Sequence, residues 1–324
     1  MSAPRIAVVG SYATGLTMKV ERIPNAGETL LGTGYRVDFG GKGSNQAVGC
    51  ARLGAQVDFI AKVGKDAFGD MALALYRDEG IDTTYVKQSA EAPTGVGFIV
   101  VEGQSGQNSI VLDAGANELL TTADVAAAEA ALKSAAVVIT QLEIPVAAAE
   151  AALTFGRKAG KITILNPAPV RPLPASMLNM VDILTPNETE VRVLAGQASE
   201  TVVDHEAIAR ELISRGVKQV VMTLGERGAL LVSRSSCMHF PAVQVRAVDT
   251  TGAGDAFNAG LATAMAHGSN LPEAVQFAII TGSMAVTKEG VIPSLPRRDQ
   301  VLEFCRLHNI GTPTWLNTVL DSAS

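Results

Sequence analysis

The stretch "VDTTGAGDAFNAGLATAM", residues 248–265, joins two glycines and a carboxylate to the start of an apolar helical pattern. After Gly252-Ala253-Gly254-Asp255, the residues Phe257, Leu261, Ala264 and Met265 recur at helical spacing. Glycines at the mouth of a helix leave backbone N–H groups unpaired, with the positive end of the helix dipole behind them. Gly252, Ala253 and Gly254 therefore form a candidate anion hole. Asp255 has two readings. In the first turn of a helix, an aspartate is commonly a cap. Beside an anion hole a bare carboxylate would repel the anion, yet it suits a base. It would take a proton from a hydroxyl while the N–H groups hold the phosphoryl under attack. The chemistry favours the base.

Three further stretches carry polar groups at turns. In "FGGKGSNQAVGCARLGA" (39–55), paired glycines let the backbone approach a ligand, and Lys42 and Asn45 can bond its hydroxyls; the alternative is an ordinary helix start. In "TPNETE" (185–190), a strand stops and a helix starts. Glu188 and Glu190 there either compensate the helix dipole or, beside a nucleotide, Glu190 and Asn187 offer hard oxygens to hold Mg²⁺ through its waters. "TLGERGA" (223–229) and "NPAP" (166–169) are weaker turn signals. "GSYATGLT" (10–17) nearly spells the phosphate loop G-x-x-x-x-G-K-[ST], but Leu16 replaces the lysine. A dinucleotide fold fits no better, because "GSYATG" lacks the middle glycine of G-x-G-x-x-G.

These residues need a frame. "RIAVVG" (5–10), "VDFIAKVG" (57–64), "AVVITQLE" (136–143), "KITILNPAP" (161–169), "VDILTPNE" (181–188) and "KQVVMTLG" (218–225) read as buried strands. Helical patterns at 122–132, 145–158 and 204–215 lie between them, and a short strand over 242–248 is expected to lead into Gly252. The predicted fold is α/β, a mostly parallel central sheet flanked by helices on both faces. Two Gly-punctuated, β-branched segments, 28–41 and 94–115, break this pattern and predict a small antiparallel sheet, either a lid over the site or a pairing surface for another subunit. The expected organisation is one domain over 1–308 with lid segments at about 11–41 and 94–115, and an unassigned tail at 309–324 holding the only tryptophan.

Of 324 residues 47% are hydrophobic, enough for a large core, and the net charge of −6 with no basic run argues against nucleic acid and anionic lipid. Three distant cysteines suit reduced thiols, and four scattered histidines give no zinc spacing. With no apolar run of the ~18 residues a bilayer needs, and no signal-peptide pattern, a soluble cytoplasmic protein is expected.

"GGKGSNQAVGCARLGA", "LNPAP", "TPNETE", "TLGERGA" and "DTTGAGDAFNAG", in this order and spacing over roughly residues 5–308, resemble the ribokinase (PfkB-type) family of carbohydrate kinases. "PNAGETL" and "QLEIP" resemble its ribokinase branch. The resemblance implies an ATP-dependent kinase acting on the primary hydroxyl of a small sugar, D-ribose before 2-deoxyribose, another pentose, a sugar acid or a nucleoside. An inactive sensor would have lost Asp255 or the glycines, and neither is lost. It further implies that Asp255 is the base beside the Gly252–Gly254 anion hole, and that Gly41, Lys42, Asn45 and Glu143 contact the sugar. Asn187, Thr223, Gly225, Gly228, Gly254 and Asn258 would meet ATP, with Asn187 and Glu190 organising Mg²⁺. A K⁺ ion would sit at Asp249, Thr251, Ala285, Lys288, Gly290 and Ser294, several contributing carbonyls, and two chains would pair through the lid sheet. In this reading "GSYATGLT" lines the sugar pocket. The family pattern there is G-S-x-N-x-D, whereas this chain has Ala13 and Gly15 at the asparagine and aspartate positions. The preferred sugar is therefore expected to lack, or present differently, the hydroxyl pair an aspartate would bind.

Overall fold

Apolar runs buried on both faces become strands, and the polar or glycine residues at their ends become the loops where ligands can approach. The computed structural model describes residues 3–103, 107–196 and 204–317. Residues 104–106 of the lid segment and 318–324 of the tail lie outside the described residues. The strands are β1 (Arg5–Val9), β2 (Ala13–Val20), β3 (Thr33–Gly40), β4 (Gln56–Gly64), β5 (Asp82–Ser89), β6 (Val96–Glu102) and β7 (Asn108–Asp113). They continue with β8 (Val137–Thr140), β9 (Ile162–Leu165), β10 (Ile183–Leu184), β11 (Gln219–Thr223), β12 (Ala229–Val232) and β13 (Cys237–Phe240).

A nine-stranded sheet has the order β13-β12-β11-β10-β9-β8-β1-β4-β5. It is parallel from β11 to β5, and only β12 and β13 turn back as an antiparallel hairpin. Side chains alternate across the sheet. Ile6 and Val8 of β1 join one apolar core, with the helices Lys42–Arg52, Ala253–Ala266 and Leu271–Ala285, while Ala7 and Val9 join the opposite one, with Val146–Lys158 and His205–Ser214. At β1 the order reverses, with β4 and β5 on one side and β8 to β11 on the other. Such a switch opens a crevice beyond the carboxyl ends of the strands.

A second sheet, β3-β2-β6-β7, stands outside this body. Both outer ladders are antiparallel, and the central β2–β6 pair is parallel. The direction follows from connectivity: β2 continues the chain leaving β1, and β6 the chain leaving β5, two strands that point the same way.

Two expectations need correction. Residues 242–248 are not a strand, although their alternation suggests one. They form no ladder among the described residues, and Ala242 to Val245 line a cleft instead. The helical pattern of 122–132 breaks at Ala128 into Thr122–Ala127 and Glu129–Ser134. The tail, unassigned from sequence, packs back on the body: Trp315 is buried, stacks on His267 at 4.1 Å and donates from Nε1 to Ser269 Oγ at 3.0 Å.

Candidate active site

Helix Ala253–Ala266 begins at Gly252, whose φ of 80° lies in the left-handed region. A Cβ on Gly252 would sit 2.5 Å from Val291 Cγ1, so both conformation and space require glycine. The Ala253 amide is turned onto the Thr250 carbonyl at 3.3 Å, and the Ala256 amide onto Gly252 at 2.9 Å. The first-turn amides of Gly254 and Asp255 remain to face a ligand. A Cβ on Gly254 would meet no protein atom within 4 Å, because this glycine borders the open cleft. Of the Gly252, Ala253 and Gly254 amides expected to form an anion hole, that of Ala253 is thus taken up within the chain.

Asp255 follows in the first turn and is only 5% exposed. Asn45 Nδ2 donates to its Oδ2 at 2.8 Å and Gln46 Nε2 to its Oδ1 at 3.0 Å. Both donors ride on helix Lys42–Arg52, whose start at Gly41 (φ 87°) crowds against the backbone of Tyr12 and Ala13. Glu143, just beyond β8, accepts from Ser11 Oγ at 2.6 Å and from the Lys42 amide at 2.8 Å. The loop after β1, the first turn of the Lys42 helix and the loop after β8 therefore meet on one carboxylate. The nearby Asp255 carboxylate raises the pKa of the Lys42 ammonium against the opposing effect of burial, with Glu143 and Glu190 adding to the rise. Asn45 Oδ1 is buried and has no hydrogen-bond partner among the described residues, an acceptor that a ligand hydroxyl could satisfy.

Behind these groups runs a chain that sequence reading missed. Gln141 Nε2 donates to Gln46 Oε1, and Gln46 Nε2 also donates to Asn166 Oδ1. Asn166 Nδ2 donates to the Thr185 carbonyl, Thr185 Oγ1 to Asn258 Oδ1, and Asn258 Nδ2 to the Gly254 carbonyl. Asn258 is thus not a cleft residue, contrary to expectation. Its helical position turns it inward, where it is 1% exposed and braces the Gly254 turn.

A cleft of about 530 Å³ opens beside Gly254. Asn187, Thr223, Gly225 and Gly228 line it as the sequence reading places them, joined by Gln244 and Ile279, which that reading missed. Gly228 also has a fold role, since a Cβ there would collide with the Phe240 carbonyl. Asn187 caps its helix, accepting from Thr189 and Glu190 amides at 2.9 and 2.8 Å, while Glu190 Oε2 accepts from the Asn187 amide at 2.9 Å. Burial raises the pKa of the Glu190 carboxyl, opposed by that amide and by Lys42. Asp249 ties two loops: it accepts from the Thr251 amide at 2.9 Å and from the Gly290 amide at 3.0 Å. Those bonds hold its carboxyl below the usual range although burial opposes them. Lys288 donates its amide to the Ala285 carbonyl at 3.4 Å, and the Ser294 hydroxyl is used on Val291.

A buried carboxylate thus stands at a glycine-capped helix mouth on a doubly covered α/β sheet, with Asn45, Lys42 and Glu143 on one side and a cleft of about 530 Å³ on the other, an arrangement that suits a phosphotransferase. Residues 3–298 match the pfkB family of carbohydrate kinases, and the chain belongs to that family. It is 37% identical to a ribokinase of Haemophilus influenzae, over 92% of this chain and 97% of that protein. It is equally 37% identical to a deoxyribokinase of Salmonella typhi, over 94% and 99%. Among solved structures, Arabidopsis thaliana ribokinase complexed with ribose and ATP superimposes with a TM-score of 0.85 at 34% identity, covering 94% of this chain and 98% of that one. The protein is a sugar kinase.

Proposed function

We propose that this carbohydrate kinase converts D-ribose to D-ribose 5-phosphate with ATP as donor, using Asp255 as base. The observation that carries the reading is the Asp255 carboxylate, oriented by Asn45 and Gln46 in the first turn of the helix that opens at Gly252. The sugar's primary hydroxyl oxygen attacks the γ-phosphorus while the bond to the β,γ-bridging oxygen breaks. ADP leaves, and the hydroxyl proton passes to Asp255. The Gly254 and Asp255 amides offset charge on the transferring group, and Lys42 adds a positive charge held between Asp255 and Glu143. Ribokinase relatives support ribose, and the deoxyribokinase relative together with Gly15 makes 2-deoxyribose the second reading.

Mg²⁺ fits the donor set. Glu190 keeps Oε1 clear of the cap that occupies Oε2, so it and Asn187 would hold the ion through water. When bound, Mg²⁺ would neutralise phosphate charge. The Asp249-linked loops suit a K⁺ ion behind the anion hole, at Thr251, Ala285, Lys288, Gly290 and Ser294. Ile110, Val111 and Leu112 on the outer strand of the small sheet are 52%, 70% and 68% exposed, which supports pairing of two chains there. An ADP-release assay over a panel of pentoses, hexoses, sugar acids and nucleosides tests the reading. Ribose should give the highest kcat/KM, and a nucleoside or hexose ahead of every pentose overturns it.

A further inference from the structure

The face of β2 that the family resemblance turns toward the sugar offers almost nothing polar. Ala13, Gly15 and Thr17 share one face, and only Thr17 bears a polar side chain. Across the ladder, Ala13 pairs with Gly40, Gly15 with Asp38 and Thr17 with Arg36. Directly opposed residues of an antiparallel pair present their side chains to the same face. Asp38 therefore stands beside the space that Gly15 leaves empty. A Cβ on Gly15 would lie 3.7 Å from the Cβ of Asp38 and 3.5 Å from Ile99 Cδ1, so carboxylates on either strand would reach one region.

Residues of that face also touch the body. Arg36 reaches Glu289 at 3.1 Å, on the loop that Asp249 ties down through Gly290. Arg36 Nε also donates to Asp38 Oδ2 at 2.6 Å, and Thr17 Oγ1 lies 3.5 Å from the same oxygen. No hydrogen bond reaches Oδ1 among the described residues, and the Asp38 side chain is 30% exposed. The carboxylate is oriented on one edge and open on the other.

We propose that Asp38 is the sugar-diol acceptor of this kinase, its carboxylate reaching from β3 the two adjacent hydroxyls that an aspartate at position 15 would have bound from β2. The proposal rests on the pentose-kinase reading and deepens it, because it restores to Gly15-bearing chains an acceptor for the ribose diol. It also decides what Gly15→Asp should do. With Asp38 present, the new carboxylate would face an existing one across the ladder and each would disfavour the other's charge. The position itself tolerates a side chain, having ordinary van der Waals space and no positive φ.

The test is steady-state kinetics with ribose and 2-deoxyribose on four variants. Asp38→Ala should raise the ribose KM by roughly 10- to 100-fold, the loss of charge-assisted bonds, with the ATP KM little changed and 2-deoxyribose affected less. Gly15→Asp alone should not improve ribose use, whereas Gly15→Asp with Asp38→Ala should recover it. Glu289→Ala, which releases Arg36 from the body without touching Asp38, should leave the ribose KM near wild type. An unchanged ribose KM in Asp38→Ala overturns the proposal while leaving the kinase reading intact. So does an equal rise for both sugars and ATP, or the same rise in Glu289→Ala. A wild-type enzyme that phosphorylates no pentose overturns both.

Discussion

Both carboxylate oxygens of Asp255 accept a hydrogen bond, one from Asn45 and one from Gln46, and each keeps a further lone pair for a substrate proton. Asp255→Asn presents an amide donor to one of those donors, forfeiting a bond to a charged group worth about 1.5–3 kcal/mol, short of what unfolds a domain. Turnover should fall by roughly 10²-fold or more, the usual share of a base, while ATP affinity persists. Near-normal turnover in that variant removes Asp255 from the mechanism. Asp255, Asn45, Glu143 and Lys42 were legible because each stands in a short run with glycines or a strand end beside it. Gln46, Gln141 and Thr185 were not, and Asn166 was legible only as a strand end. Their bonds join elements from residue 46 to residue 258, and no local pattern marks a buried amide whose partners are far away in sequence. Asn258 was misplaced for the same reason: its motif shows that it is near the anion hole, not which way it points.

At the scale of elements, two glycines one residue apart do different work, and alanine separates them. Gly252→Ala forces a side chain into left-handed backbone and into Val291, each costing about 1–3 kcal/mol. It should lower Tm by several degrees. Gly254→Ala meets no protein atom, so Tm should hold while the new methyl group blocks the cleft and raises the ATP KM. Equal Tm losses in the two variants would contradict this division. The two loops joined by Asp249 form the next element. Exchanging K⁺ for Na⁺ should lower kcat at fixed Mg²⁺, and indifference to the monovalent ion rules out a cation there. The strands were readable from apolar runs, and the polar outer strand β5 and the short β13 were harder because they lack such runs, while β12, though apolar, is only four residues long. Residues 242–248 have the alternation of a strand without an edge to pair with, which only the assembled sheet reveals.

At the scale of the molecule, the small sheet's exposed apolar strand and the packed tail each make a measurable claim. Sedimentation velocity should give a dimer that Val111→Asp weakens, and a monomeric wild type would refute pairing through that sheet. The tail is reported by Trp315, the single tryptophan of the chain. Its ring stacks on His267 with planes 6° apart, and Phe277 meets its edge at 5.0 Å. His267 Nε2 is buried and has no hydrogen-bond partner among the described residues. Burial, with the positive charge of Arg298 adding to it, lowers the pKa of that imidazole to about 4 from an ordinary 6.5. Because the folded value is the lower one, the unfolded chain binds the proton more readily between these two pH values. Stability from this stack is therefore fully present above pH 6.5 and is lost as pH falls toward 4. Trp315 emission should shift to the red over that interval as the tail loosens, and His267→Phe, which cannot be protonated, should flatten the change. Emission that stays constant down to pH 4, or that shifts identically in His267→Phe, would show that this imidazole does not couple the tail to acid.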